Sequence, residues 1–301
     1  MCDTAPLATT LVLTRNSSRD IVDCLRSLEQ QTYSKFQVLV VDNGSTDDAI
    51  ATVRCEFPCV TVVMNGENLG FAEGFNRGMR CARTIGSDWM LLLNADTVVD
   101  PDCVSKMVEA ADDSKIGILG PTIYHANEPT IIQSAGGMLN SEWIPYHRGQ
   151  NELDQGQYSE PTDVDWVSGC AMLVKTKLVD SIGCLDERFF MYEEELDWCI
   201  RARRAGWRIL HVPQAKVWHK GVQRDYHPKP FVTYYSTRNR FLMLAKHRAP
   251  AGAWVIAWAQ TLRTLLSWTI KPKWRMMREH RDAMWLGVSD FLRHRWGKCP
   301  I

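Results

Sequence analysis

Leu91-Leu92-Leu93-Asn94-Ala95-Asp96 is an apolar run that stops at a polar tip carrying one carboxylate. A buried strand that runs out of sheet at Asn94 and Asp96 holds an amide and a carboxylate at its open carboxyl end. That edge is where α/β proteins bind ligands and metals. Alone, the tip fits an ordinary strand end with a turn; what surrounds it along the chain decides between the two.

Before it, strand and helix patterns alternate. Leu7 to Leu13 is apolar and β-branched and ends in Thr14-Arg15-Asn16-Ser17-Ser18, after which Ile21, Cys24, Leu25 and Leu28 recur at helical spacing. Ser17 and Asp20 have capping-box spacing, which predicts a helix start there. Phe36 to Val41 is a second strand ending in Asp42-Asn43-Gly44-Ser45-Thr46-Asp47, and Val60 to Met64 a third. Asn68-Leu69-Gly70-Phe71-Ala72-Glu73-Gly74-Phe75-Asn76-Arg77-Gly78 leads into a helix whose glycines permit close backbone approach to a ligand. Trp89 to Leu93 is the fourth strand, followed by Asp100 as N-cap and Pro101 at the first helical position.

Strands separated by helices of this length imply a parallel, doubly wound sheet, because right-handed crossovers are the common way to connect them. The carboxyl ends then share one edge, and Thr14 to Asn16, Asp42, and Asn94 to Asp96 meet in a single crevice. The chain carries neither the GxGxxG turn of dinucleotide-binding folds nor the GxxxxGK[ST] loop of phosphate-gripping ones. A nucleotide here is held another way.

The 301 residues, 45% hydrophobic with 12 Trp, suffice for a sizeable core. The 35 basic and 35 acidic side chains cancel, which argues against electrostatic capture of nucleic acid. Acids dominate before about residue 200, and Arg201 to Lys298 is dense in Lys, Arg, His and Trp. The ten Cys are scattered without a CxxC pair, many on apolar faces (Cys24, Cys81, Cys170, Cys199), and the amino end lacks a signal-peptide pattern. Reduced thiols in a cytoplasmic protein are expected.

In the second half, Trp166 to Val174 reads as an apolar strand interrupted by Ser168-Gly169, and Trp207 to Val212 and Lys216 to Trp218 as short strands. Phe189-Phe190-Met191-Tyr192 precedes Glu193-Glu194-Glu195-Leu196-Asp197 at a helix start. Acids there favour the helix dipole, and Asp197 with Arg201 is an i,i+4 pair that orients the helix. Like charges repel, however, and the aromatic residues in front bury this turn. A carboxylate against an apolar wall has a raised pKa, as a general base near neutral pH requires.

Val40-Val41-Asp42-Asn43-Gly44-Ser45-Thr46-Asp47, Asn68-Leu69-Gly70-Phe71-Ala72 with Gly74, Asn76 and Gly78, and Leu93-Asn94-Ala95-Asp96 together resemble family 2 glycosyltransferases of the GT-A fold. The likeness is strongest to bacterial rhamnosyltransferases and runs from about Leu7 to about His247. It implies a Rossmann-like, mostly parallel twisted sheet flanked by helices, with a catalytic domain over 1–225 (nucleotide-binding half about 1–120, acceptor half about 121–225) and a helical extension over 226–301. It implies an inverting, metal-dependent transfer of a sugar from a nucleoside diphosphate, dTDP- or UDP-linked, to a saccharide or lipid-linked acceptor in surface polysaccharide assembly. The family's catalytic acid pair matches Glu194 and Glu195, with Glu195 as the base; this chain has Glu there where Asp is usual. Val217-Trp218-His219-Lys220-Gly221 resembles the family's Trp-His turn, which makes Asp96 and His219 ligands of Mg²⁺ or Mn²⁺. The resemblance assigns the base and ribose to Thr14, Arg15, Asn16 and Asp42. It further assigns the donor's diphosphate and sugar to Asn68, Gly70, Gly74, Asn76, Asn94 and Arg238, the last within a Tyr-Tyr-x-x-Arg-Asn element at 234–239. Asn94 in place of a metal carboxylate, and Glu195 in place of Asp, leave a non-catalytic nucleotide-sugar-binding module as the alternative. A nucleotidyltransferase is disfavoured, since only Arg15 is basic after the first strand.

Residues 254–270 are strongly apolar but broken by Gln260 and Arg263, short of the roughly twenty apolar residues a membrane span needs. Lys271, Lys273, Trp274, Arg275 and Arg278 beside them suit a helix lying on an anionic membrane, at the inner face of the cell membrane. Packing on the catalytic domain or on a second copy of the chain are the competing uses.

Overall fold

The apolar runs of the front half become adjacent strands of one sheet. The computed structural model describes residues 5–221 and 223–301. β1 (Ala8–Thr14), α1 (Ile21–Glu29), β2 (Phe36–Asp42), α2 (Ala49–Glu56), β3 (Thr61–Met64), α3 (Gly70–Thr84) and β4 (Trp89–Asn94) alternate, and β4, β1, β2 and β3 pair in parallel in that order. Successive residues of the Met90–Leu93 run point to opposite layers. Leu91 and Leu93 pack with Ile21, Cys24, Leu25 and Leu28 of α1, while Met90 and Leu92 pack with Phe75, Met79 and Ala82 of α3. Helices on both faces explain why β4 is apolar throughout instead of alternating.

The chain continues through β5 (Thr97–Val99), α4 (Cys103–Glu109), β6 (Ile116–His125), β7 (Glu128–Ser134), β8 (Gly137–Leu139), β9 (Pro145–His147), β10 (Thr162–Asp163), β11 (Ala171–Lys175), α5 (Thr176–Ile182), α6 (Glu194–Arg204) and β12 (Arg208–His219). The full sheet runs β10-β12-β6-β11-β4-β1-β2-β3, with β5 on β12 and β7 on β6. β11 lies antiparallel between β4 and β6, so the sheet is mixed where the second half joins the first. This is the expected twisted α/β sheet flanked by helices.

Four local expectations change. The helix expected from Ser17 begins at Ile21, and the Ser17 hydroxyl donates to Arg15 O in place of a capping bond. Asp100 accepts the Asp102 N–H two residues ahead of the α4 N-cap, so Pro101 precedes that helix. Of the span 166–174 only the part from Ala171 is strand, because Ser168-Gly169 forms a turn. The two short strands at 207–218 are one long strand, β12, whose register against β6 shifts between Val212 and Lys216.

α7 (Pro230–Lys246), α8 (Ala251–Ile270), a 3₁₀ turn (Pro272–Met277) and α9 (Arg278–Leu292) follow. Leu242 and Met243 of α7 share a core with Leu196 and Trp198 of α6, while Phe241, Ala253, Ala257 and Val288 form a small core among the last helices. Among the described residues no helix is long and apolar enough to cross a membrane. All described cysteines are free thiols, and burial pushes the Cys24 thiol up to about 12.

Candidate active site

Strand register fixes which tips meet. Thr14 pairs with Asp42 and Leu13 with Asn94, so the ends of β1, β2 and β4 lie side by side on one edge. Asn16 sits at φ 54°, a left-handed conformation that Asn tolerates. Its N–H donates to Ser45 Oγ at 3.0 Å and its Oδ1 accepts the Thr46 N–H at 2.8 Å. The buried Asp42 carboxylate accepts the Ser45 N–H at 3.0 Å, and the Thr14 hydroxyl beside it is buried without a hydrogen-bond partner. Arg15 is exposed on the same turn.

Asn43 joins this turn to the next. Its Nδ2 donates to Gly70 O at 2.8 Å and to Asn68 Oδ1 at 3.2 Å, and its Oδ1 accepts the Leu69 N–H at 3.1 Å. Gly70, at φ +82°, then meets the second half of the chain: a Cβ there would stand 2.5 Å from Phe190 O, which accepts the Phe71 N–H at 2.6 Å. Only glycine fits such an approach in that conformation.

Asp96 and His219, 123 positions apart by number (219 − 96), are in contact, with His219 Nε2 3.3 Å from Asp96 Oδ1. The pairing of His219 with Thr97 in the β5–β12 ladder brings them together, and the Lys220 N–H donates to Asp96 O at 2.9 Å. His219 Nδ1 lies 3.0 Å from Gln133 Oε1, which fixes the ring with Nε2 toward the carboxylate. Burial opposes charge on the imidazole, but Cys170 and Asp96 beside it raise its pKa well above the ordinary value. Burial likewise opposes charge on Asp96, and its hydrogen bond with His219 lowers its pKa. Gly221 leaves Asp96 Oδ2 open, because a Cβ there would collide with it. A proton shared by a fixed imidazole and an ionised carboxylate marks a place for positive charge. A hard divalent cation fits this oxygen and nitrogen pair, which among the described residues no further acid, His or Cys closes into a cage.

The acids at the start of α6 ride on a strained turn. Phe190, Tyr192 and Glu193 have φ of 63°, 69° and 75°, conformations rare for such side chains. Two neighbours on α7 hold it. The Asn239 amide donates to Met191 O and Tyr192 O, each at 2.8 Å. Arg238, fully buried, donates to Phe189 O at 2.8 Å, Arg188 O at 3.1 Å, Gly297 O at 2.7 Å, Tyr234 Oη at 3.2 Å and Asn239 Oδ1 at 3.0 Å. Phe190 also stacks on Tyr235 with ring centroids 5.6 Å apart.

Glu194 is buried, and both Glu194 and Glu195 carry an Oε2 with no hydrogen-bond partner. Burial raises the Glu194 pKa strongly, with Glu195 adding repulsion; burial also raises Glu195, against the backbone amides of Glu195, Leu196 and Gly169 that lower it. Gly169 lies against the Glu195 side chain, and its successor Cys170 accepts the Asn94 N–H and touches His219. The Ser168–Cys170 turn thus links the acid pair to Asn94 and to the Asp96–His219 pair. That link, with Asn43 and Gln133, escaped sequence reading; the only local signal was the glycine breaking an apolar run.

Two expected donor residues are committed elsewhere. Arg238 uses all five of its N–H groups inside the protein, so none is free for a diphosphate. Asn76 is buried with its amide bonded both ways to the Leu185 backbone, at 3.0 Å each. Gly74 packs under Leu13, where a Cβ would be 2.8 Å from Leu13 Cδ1. For Arg238 and Asn76 the cause is the same: long-range contacts satisfy groups whose type alone suggested a ligand, whereas the Gly74 packing leaves its expected place beside the donor untouched.

A sequence profile described as Glycosyl transferase family 2 matches residues 9–179, more than half of the chain. Proteins of two Mycobacterium tuberculosis strains, named N-acetylglucosaminyl-diphospho-decaprenol L-rhamnosyltransferase, are 30% identical over 215 residues, covering 65% of this chain and 70% of theirs. The dTDP-rhamnosyl transferase RfbF of Shigella flexneri is 24% identical over 271 residues, covering 86% and 87%. Among solved structures, the mannosyltransferase PcManGT from Pyrobaculum calidifontis, in complex with GDP-Man and Mn²⁺, superposes with a TM-score of 0.60 at 17% identity over 97% of this chain and 90% of that one. GalNAc-T7 with UDP, GalNAc and Mn²⁺ superposes with a TM-score of 0.61 at 13% identity, over 84% of this chain and 56% of that one.

Two consequences are measurable. Arg238→Met leaves three backbone carbonyls without their charged donor, and urea titration should show a loss of about 3 kcal/mol or more, since charge-assisted bonds are worth roughly 1.5–3 kcal/mol each; amide exchange should rise first over 188–193. The Glu194 carboxyl has a higher pKa folded than unfolded, so the stability it confers is present at low pH and is lost as pH rises through the folded value. Glu194→Gln should therefore melt above wild type at pH 8, with the advantage vanishing by about pH 4, near the ordinary Glu pKa.

Proposed function

The chain belongs to glycosyl transferase family 2 and is a glycosyltransferase of the GT-A fold, and from that premise we propose an inverting transfer of rhamnose, from dTDP-rhamnose, to a lipid-linked saccharide in surface polysaccharide assembly. The observation that carries the reading is the contact of Asp96 with His219, one turn away from the acid pair. The rhamnosyltransferase names of the relatives support the choice of sugar.

In this mechanism the Thr14–Asn16 turn and Asp42 hold the base and ribose, with the orphaned Thr14 hydroxyl as a ready hydrogen-bonding group. Asn68, Gly70 and Asn94 line the donor's phosphates along the strand edge. Asp96 and His219 would hold Mg²⁺ or Mn²⁺, which when bound supplies charge neutralisation to the departing diphosphate. Glu195 removes the proton from the acceptor hydroxyl as its oxygen attacks the anomeric carbon, and the nucleoside diphosphate leaves from the opposite face. Burial raises the Glu195 carboxyl, which makes it the better base, and the backbone amides of Glu195, Leu196 and Gly169 act against that rise. Burial and the Glu195 charge raise the Glu194 carboxyl well above its ordinary value, which disfavours a second charge behind the base.

The helical extension supports a membrane-bound acceptor. α8 buries Ala253, Ala257, Thr261 and Leu265 and exposes Val255, Leu262, Leu266 and Ile270, with exposed Lys271, Lys273, Arg275 and Met276 following. An apolar stripe continued by cations suits the face of an anionic bilayer, at the cytoplasmic side.

Glu195→Gln should lower kcat for transfer by about 10²–10⁴ and remove the acid limb of the pH profile, which lies above the ordinary carboxylate range. Asp96→Ala should abolish metal-stimulated transfer, and circular dichroism should show both variants folded at the assay temperature, Glu195→Gln melting no lower than wild type at pH 8; full turnover by Glu195→Gln defeats the base assignment. In vesicle sedimentation the chain should bind phosphatidylglycerol-rich vesicles, release them at high salt, and lose binding in Leu266→Glu/Ile270→Glu. Equal binding to neutral vesicles, or none to either, counts against the bilayer.

A further inference from the structure

The segment after α9 returns to the turn that carries the acids. Trp296 packs against the core that contains Leu196 and Trp198 of α6. Gly297, at φ +86°, accepts from Arg238 Nη1 at 2.7 Å and donates its N–H to Arg188 O at 3.4 Å. Two residues on, the Cys299 N–H donates to Tyr235 Oη at 2.6 Å. Backbone groups far along the chain are thus bonded to α7 and to the turn in front of α6.

Tyr235 carries this contact inward. It is buried, and burial pushes its phenol up to about 12, so the hydroxyl stays neutral. Its ring lies nearly parallel to that of Phe190, at an angle of 7° with centroids 5.6 Å apart. Phe190 in turn abuts the start of α3: a Cβ on Gly70 would stand 2.6 Å from Phe190 Cδ2, and Phe190 O accepts the Phe71 N–H. The bonds from Arg238 and Asn239 reach the carbonyls of 188, 189, 191 and 192 and pass over residue 190. Yet Phe190 has φ 63°, a conformation that persists only where neighbours impose it. The ring of Tyr235 is what supports it from the α7 side.

We infer that Tyr235 is a positioning residue and that the 296–299 segment acts through it. The Cys299 N–H holds the phenol, the phenol ring fixes Phe190, and Phe190 sets the acid pair at a constant distance from the Asn68–Gly70 loop. The effect on rate rests on the reading of Glu195 as base; the effect on structure does not.

Tyr235→Phe and Cys299→Pro delete the same hydrogen bond from its two ends, and Cys299→Ala, which keeps the N–H, is the rescue control. Amide exchange over 68–76 and 188–196 should speed up about threefold or more in both deletions, the worth of one neutral hydrogen bond. Over β1 and β2 it should stay at the wild-type rate. In the release of dTDP from dTDP-rhamnose, with water in the acceptor's place, both should lower kcat by a similar factor, with KM and the calorimetric dTDP affinity within about twofold of wild type. The double variant should be no slower than the more affected single one, because both changes remove one link. Unchanged exchange over 68–76 in both variants, acceleration spread evenly along the chain, additive losses in the double variant, or Cys299→Ala behaving like Cys299→Pro overturns the inference. A wild type that leaves dTDP-rhamnose intact refutes that donor alone, and the exchange rates, which need no substrate, still decide the role of Tyr235.

Discussion

The guanidinium of Arg238 is the contact on which the site depends. The turn at 188–193 departs from ordinary backbone geometry at three non-glycine residues, a strain of order 1–3 kcal/mol each. Such a turn persists only if its carbonyls are held, and Arg238 with Asn239 holds those of residues 188, 189, 191 and 192. α7 is therefore a structural part of the turn that carries the candidate acids, although it follows β12 in the chain. The same turn presents Phe190 O to the start of α3, so the Asn68–Gly70 loop and the acid pair are fastened to a single short segment.

Around this fastening, two edges of the molecule converge. Parallel pairing of β1, β2 and β4 delivers Thr14, Asp42 and Asn94 to one edge by register alone. β12 comes from the other half of the sheet and brings His219 to Asp96 through its ladder with β5. The Ser168–Cys170 turn closes the gap, with Gly169 against Glu195 and Cys170 against Asn94 and His219. A Cβ at position 169 would stand 3.6 Å from Glu195 Cβ, an ordinary contact, and 3.1 Å from the Phe71 ring, a tight one, so the glycine eases the packing of Phe71 on this turn.

Much of this was legible in the residues. Apolar runs ending in polar tips, separated by helical spacing, dictate parallel strands whose ends share an edge, and the observed registers follow. The pairing of Asp96 with His219 was accessible only through resemblance, since no spacing rule links positions so far apart. Arg238 was misread for a physical reason: an arginine near a diphosphate site is chemically sensible, but its partners are carbonyls at 188, 189 and 297, invisible to local pattern. Asn76 was misread the same way, its partner being the backbone at 185. The left-handed Tyr192 and Glu193 were equally hidden, because neither side chain prefers that conformation and only tertiary hydrogen bonds impose it.

The four acids at the start of α6 show how one helical turn divides structure from chemistry. Asp197 is fully buried yet ionised: burial opposes its charge, but His247 at 2.8 Å, Arg201 at 2.9 Å and Lys246 at 2.7 Å lower its pKa. That cluster ties α6 to α7 and frees the helix from needing its other acids for stability. Glu194 and Glu195 sit earlier in the same turn with no cation at hand, so burial raises both, and repulsion disfavours ionising them together. Glu193, with a left-handed backbone, is raised by burial and by Glu195, and the charge of Arg240 acts against that rise. Environments that push neighbouring carboxyls apart separate the tasks open to them: Asp197 is an ionised anchor, and the raised pKa values of Glu193, Glu194 and Glu195 leave those acids available for chemistry. Glu195 has the backbone amides of Glu195, Leu196 and Gly169 to stabilise its charge and no fixed cation to quench it, while Glu194 is the more deeply buried of the two, and this contrast favours Glu195 as the proposed base.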